Sequence, residues 1–146
     1  MPTTDDIASV IPAGVELTET QARAVLEVAA IAALVDRAVH RDEVGVLAKI
    51  ATRLGVSMEA DFKKLFDDLK NESGDALMRR LRAVRAHLDS DTARQTAYKA
   101  ACAITAADLV ETDSETVFHE DLAAALELPK EVSSRISTEV INTLFR

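Results

Sequence analysis

The chain has 146 residues, long enough for one domain with a real core, and its 48% apolar and 29% charged composition is globular rather than disordered. A net charge of −8 argues against phosphate-driven nucleic-acid binding and makes a cation or a basic partner the natural counterpart. Four glycines, three prolines and 3% aromatics disfavour a sheet protein, and the single cysteine, Cys102, excludes an internal disulfide framework.

Acids at Asp5 and Asp6 stand where a signal peptide has a basic region. No uncharged apolar stretch approaches membrane-spanning length. A cytoplasmic protein without a membrane-spanning segment is expected, with a peripheral membrane role left open.

Residues 1–17 are expected to form an irregular lead-in, broken by Pro12 and Gly14. Thr18-Glu19-Thr20-Gln21 is a capping box, with Thr18 as N-cap and Gln21 reaching back. The helix it opens should run to about Asp36. Its stretch Val25 to Val35 is apolar almost all round, which places it centrally. A second helix starts near Arg41, with Val44, Leu47, Ala48, Ala51 and Leu54 at helical spacing and Gly55 just past its end. Ser57 can cap a third, striped by Phe62, Leu65, Phe66 and Leu69; Asn71 to Gly74 is a turn.

A helix over about 75–89 carries Leu77, Leu81, Val84 and Leu88 inward. Ser90 and Asp91 begin another, nearly all apolar from Ala97 to Ala107. Thr112 with Glu115 forms a further capping box, followed by Val117, Phe118, Leu122, Ala125 and Leu126. Pro129 suits the first turn of a last helix striped by Val132, Ile136, Val140 and Leu144. The expected fold is therefore an all-α, single-domain bundle of about seven helices.

Two junctions in this layout match. Asp36 ends one Ala-rich helix and Glu43 opens the next; Asp108 and Glu115 repeat the arrangement 72 residues on. The same offset pairs Ala29 with Ala101, Ala51 with Ala123, Leu54 with Leu126 and Glu59 with Glu131. Two related three-helix halves, over about 18–70 and 91–146, are expected around two central Ala-rich helices, with the 75–89 helix as an unrepeated connector. An Asp at a helix C-terminus opposes the macrodipole. Either a hard cation held by Asp, Glu and backbone carbonyls compensates, or the Asp accepts from free amides of the next helix while the Glu completes a capping box.

The junction pattern of Ala-rich helix, Asp, short turn and Glu seven on resembles the TerB-like family of tellurite-resistance proteins. The segment Leu47-Ala48-Lys49-Ile50-Ala51-Thr52-Arg53-Leu54-Gly55-Val56 carries the likeness further, and Asp121 to Leu128 echoes it. The resemblance covers roughly residues 20–135. It implies an all-α fold of two related halves, a role in bacterial stress response to tellurite or related toxic agents, and protein partners in complexes at the inner face of the membrane. It also implies a divalent cation at acidic sites, whose ligands here would be Asp36, Glu43, Asp108 and Glu115. Where the family usually has Gly after the Asp, this chain has Arg37 and Leu109.

Arg79, Arg82 and Arg85 form an i, i+3, i+6 row beside Arg80. Such a row either docks an anionic partner or acidic headgroups, or is a solvated face offsetting nearby acids. Cys102 lies inside an apolar helix, where packing rather than reactivity is expected. His40, His87 and His119 lack zinc-ligand spacing. Nucleophile-elbow, P-loop and dinucleotide motifs do not occur, and no enzyme is expected. Two readings follow: a TerB-like stress-response domain with a cation at its acidic junctions, or a helical interaction adaptor whose acids only hold the turns.

Overall fold

The computed structural model describes residues 4–11, 16–35, 43–56, 64, 67–69, 71–106 and 113–144; side chains are described for these except at 4, 5, 7, 35, 43–46, 106 and 113–118. Every regular element among the described residues is helical. In chain order they are α1 (Thr4–Ser9), α2 (Glu19–Val35), α3 (Glu43–Leu54), α4 (Gly74–Val84), a 3₁₀ turn (Arg85–His87), α5 (Asp91–Ala106), α6 (Asp113–Ala125) and α7 (Lys130–Leu144).

The Thr18 and Ser90 signals act where the sequence places them, while the expected caps Ser57 and Thr112 and the stripe residues Phe62, Leu65 and Phe66 lie outside the described residues. Thr18 Oγ1 accepts from the Gln21 amide at 3.1 Å, and Gln21 Oε1 accepts from the Thr18 amide at 2.9 Å. Ser90 Oγ accepts from the Ala93 amide at 3.1 Å, and Ser73 caps α4 through the Ala76 amide at 3.2 Å. The Pro129 carbonyl accepts from the Val132 and Ser133 amides and opens α7.

α2 and α5 form the most extensive helix–helix interface. Both helices bury many alanines: Ala22, Ala24, Ala29, Ala30, Ala32 and Ala33 on α2, and Ala93, Ala97, Ala100, Ala101 and Ala103 on α5. Larger residues of the surrounding helices complete the core. Leu77, Leu81, Val84 and Leu88 contribute from the α4 segment, Leu122 and Leu126 from the α6 segment, and Ile136 and Val140 from α7.

The 72-residue register extends to backbone detail. Thr18 and Ser90 are the matched N-caps, each accepting from the amide three residues on. At the other end of the unit, Gly55 donates to Thr52 O and Val56 to Ala51 O; Glu127 donates to Ala124 O and Leu128 to Ala123 O. These are the two bonds of a Schellman motif, made twice at equivalent positions, with φ of 74° at Gly55 and 56° at Glu127. The two N-terminal caps also meet, since Gln21 Nε2 donates to Asp89 Oδ1 at 2.5 Å and lies 3.5 Å from Ser90 Oγ.

The lead-in differs from expectation. Residues 4–9 of the segment 1–17 form α1, and Ala8, Val10 and Ile11 are buried in the core. A six-residue helix has no stability of its own in water; docking stabilises it. Arg53 Nε donates to Ile11 O at 3.0 Å and holds the segment down. α1 packs on α3 and α5, while α4 packs on α6 and α2.

Candidate functional site

The four acids of the junctions divide as follows. Asp36 and Asp108 lie outside the described residues, as does His40. Glu43 is the first residue of α3 and Glu115 lies in the first turn of α6, with side chains outside the described set. Among the described residues no group of three or more His, Cys, Asp or Glu side chains is placed to hold a metal ion.

The arginine row is described in full. Ser73 starts α4, and the inward stripe Leu77, Leu81 and Val84 sets its rotation against α2. That rotation turns Arg79 and Arg82 outward and brings Arg85 to the edge of α6. Together with Asp75 and Met78 of α4, and Asp121, Ala124 and Ala125 of α6, they line an open groove of about 740 Å³. Met78, Ala124 and Ala125 supply its apolar surface, while the charged groups surround it.

The four arginines of the segment are not equivalent. Arg80 points away from the groove: its Nε lies 2.8 Å from Glu27 Oε1, and Nη1 lies 4.0 Å from Glu72. It ties α4 to α2 across the one acidic position in the apolar face of α2. Arg85 is ion-paired through Nη2 to Glu127, and its buried Nε has no hydrogen-bond partner. Arg79 and Arg82 are exposed and make no hydrogen bond or ion pair. Every other described arginine is engaged, at Glu19, Ile11 O, Glu27, Glu127, Leu88 O or Gln95. Two free guanidiniums thus line a groove that also carries Asp75 and Asp121.

The sequence identified the arginine row but not Asp75, Met78, Asp121, Ala124, Ala125 or Glu127 as its surroundings. Asp75 precedes Arg79 by one helical turn and carried a local signal; the α6 residues approach only through tertiary packing. The two halves differ at this point of the repeat. Ala125 stands where the first half has Arg53, whose guanidinium draws α1 onto α3. Alanine cannot make that tie to α4.

A second polar group lies inside the second half. Tyr98 OH is 3.4 Å and Cys102 Sγ 3.8 Å from Ser137 Oγ. Burial pushes the Cys102 thiol up to about 11, and burial followed by the neighbouring Cys102 pushes Tyr98 up to about 12. Both therefore stay protonated at neutral pH, and Cys102 is a packed thiol as expected. Thr105 Oγ1, 1% exposed, lies within hydrogen-bond distance of Ala101 O at 3.1 Å, Cys102 O at 3.3 Å and His119 Nε2 at 2.7 Å. The first half has Leu26, Ala30, Ala33 and Leu47 at the positions of Tyr98, Cys102, Thr105 and His119, all buried and apolar. This is a hydrogen-bonded seam joining α5, α6 and α7, replacing an apolar one.

No family model matches the chain, and neither a curated protein nor a solved structure matches it. No helix among the described residues is long and apolar enough to cross a membrane.

Proposed function

We propose that this chain is a non-enzymatic helical interaction module of the TerB-like kind, acting in a bacterial stress-response assembly against tellurite or related toxic agents. The observation that carries the reading is the groove between α4 and α6, where Arg79 and Arg82 are the described arginines left free. A binding module needs an accessible surface whose charge is not already neutralised, and this groove is one.

The duplicated caps and Schellman motifs support the two-halved architecture that the family resemblance implies. Within that reading, Asp36, Glu43, Asp108 and Glu115 are the oxygen donors for a hard divalent cation. The deciding experiment is genetic. A strain lacking this chain should become sensitive to tellurite, recover with the wild-type chain, and fail to recover with Arg79→Glu/Arg82→Glu. Unchanged tolerance in the deletion strain refutes the stress-response role. Calorimetric titration with Ca²⁺, Mg²⁺, Mn²⁺ and Zn²⁺ tests the cation. Binding that is unaffected by Asp36→Ala and Asp108→Ala removes those residues from it and leaves an adaptor whose acids hold the turns.

A further inference from the structure

The groove carries information about its occupant, and the inference drawn from it rests on the groove being the docking site. Arg79 and Arg82 of α4 are i, i+3 neighbours, about 5–6 Å apart at Cβ, and Arg85 follows in the 3₁₀ turn. Carboxylates three or four apart on a helix are about 5–6 Å apart. Alternate residues of an extended chain are separated by about 6.8 Å. The two free arginines share the helical spacing. Met78, Ala124 and Ala125 offer an apolar contact alongside it, and Asp75 and Asp121 stand on the walls. Those two acids disfavour a uniform polyanion and suit discrete carboxylates on one face of an amphipathic helix.

Glu127 provides the second observation. It is the described non-glycine residue with positive φ, at 56°, in the position where the first half has Gly55. A glycine there would adopt the conformation without strain. Instead a glutamate is held in it, and its carboxylate pairs with Arg85, the last arginine of the row. The row therefore already binds one carboxylate, supplied by the chain itself, and leaves two arginines free.

We propose that the α4–α6 groove docks an acidic amphipathic helix of a partner protein, with its carboxylates on Arg79 and Arg82 and with Glu127 competing for the third place on Arg85. Glu127 acts as an internal competitor that sets the affinity, and its displacement lets Arg85 complete the set.

The test uses the full chain and fluorescence anisotropy. The probe is a labelled alanine- and leucine-based helical peptide with glutamates at successive i, i+4 positions, compared with its glutamine counterpart. The glutamate peptide should bind, with a loss of at least about tenfold for the glutamine peptide or for Arg79→Ala/Arg82→Ala, as expected for losing two charge-assisted contacts. Glu127→Gln retains the side-chain size and removes the competing charge, and should tighten binding about threefold. Circular dichroism of each variant establishes that it is folded. Equal binding of both peptides, indifference to the arginine substitutions, or weaker binding by Glu127→Gln overturns the proposal. Retention on phosphatidylserine vesicles or by inorganic phosphate, without peptide binding, also overturns it. Loss of tellurite tolerance in Arg79→Ala/Arg82→Ala without peptide binding rejects the acidic helix and preserves the groove's role. Peptide binding with unchanged tolerance supports the helix and rejects the stress-response role.

Discussion

Gly55 and Glu127 are 72 positions apart and close their helices with the same left-handed turn, one at no conformational cost and the other against it. A left-handed conformation costs a non-glycine residue about 1–2 kcal/mol. The half-exposed pair of Glu127 with Arg85 returns about 0.2–1 kcal/mol of this. Glu127→Gly should therefore leave stability unchanged or raise it by up to about 2 kcal/mol. Gly55→Ala should lower it by about 1 kcal/mol through backbone strain alone, because an added Cβ meets no atom within 4 Å. Urea denaturation of both variants checks the pair; destabilisation by Glu127→Gly would show that its ion pair outweighs the strain.

The matched N-caps are expected to be coupled. Thr18→Ala and Ser90→Ala should each cost about 1 kcal/mol. Gln21 serves the Thr18 box and also reaches Asp89 and Ser90, so Gln21→Ala with Ser90→Ala should differ from the sum of the single changes by at least about 0.5 kcal/mol. A double-mutant cycle in urea measures this. Strict additivity would mean that the two helix starts are independent.

Thr105→Val should destabilise the second half by about 1–3 kcal/mol, because it leaves His119 Nε2 facing an apolar group. Thr105→Ser preserves the hydroxyl and should recover most of that loss. The comparison separates the hydrogen bond from the packing, and equal melting temperatures for Val and wild type would show that His119 finds another partner.

Alkaline pH should unfold the protein progressively. Cys102 is raised from 9.0 to about 11 and Tyr98 from 10.0 to about 12 in the folded chain. Between the ordinary and the folded value the native state holds the proton and the unfolded chain releases it. Each group's stabilisation is complete below its ordinary value and is lost as pH rises through the folded one. The urea midpoint should therefore fall from about pH 9 upward, and Cys102→Ala should flatten the early part of that fall. Thiol reagents should modify Cys102 in the native protein only at the rate of opening, and quickly in denaturant.

Local structure was legible because its causes are local. Thr18 with Gln21, Ser90 and Gly55 act within one helical turn, and the Leu77–Leu81–Val84–Leu88 stripe declares its face by spacing alone. The 72-residue offset first seen in side-chain identities reappears in caps and terminal hydrogen bonds, because both halves solve the same backbone problem. From the sequence alone follow the helical class, the central alanine-rich pair, the helix starts and the arginine row.

Only tertiary packing decided the rest. α1 is too short to be stable without the α3–α5 surface and the Arg53 bond that receive it. Arg80 and Arg85 are sequence neighbours of Arg79 and Arg82, yet Glu27 and Glu127 engage the first two and leave the others free. Glu127 carries no local signal for a left-handed turn; the repeated scaffold imposes it, and Arg85 across the groove gives its carboxylate a partner. Short-range hydrogen bonding can be read from a sequence because its partners are a few residues apart. A groove is a relation between helices about forty residues apart, and it exists only once the core has set how closely they approach.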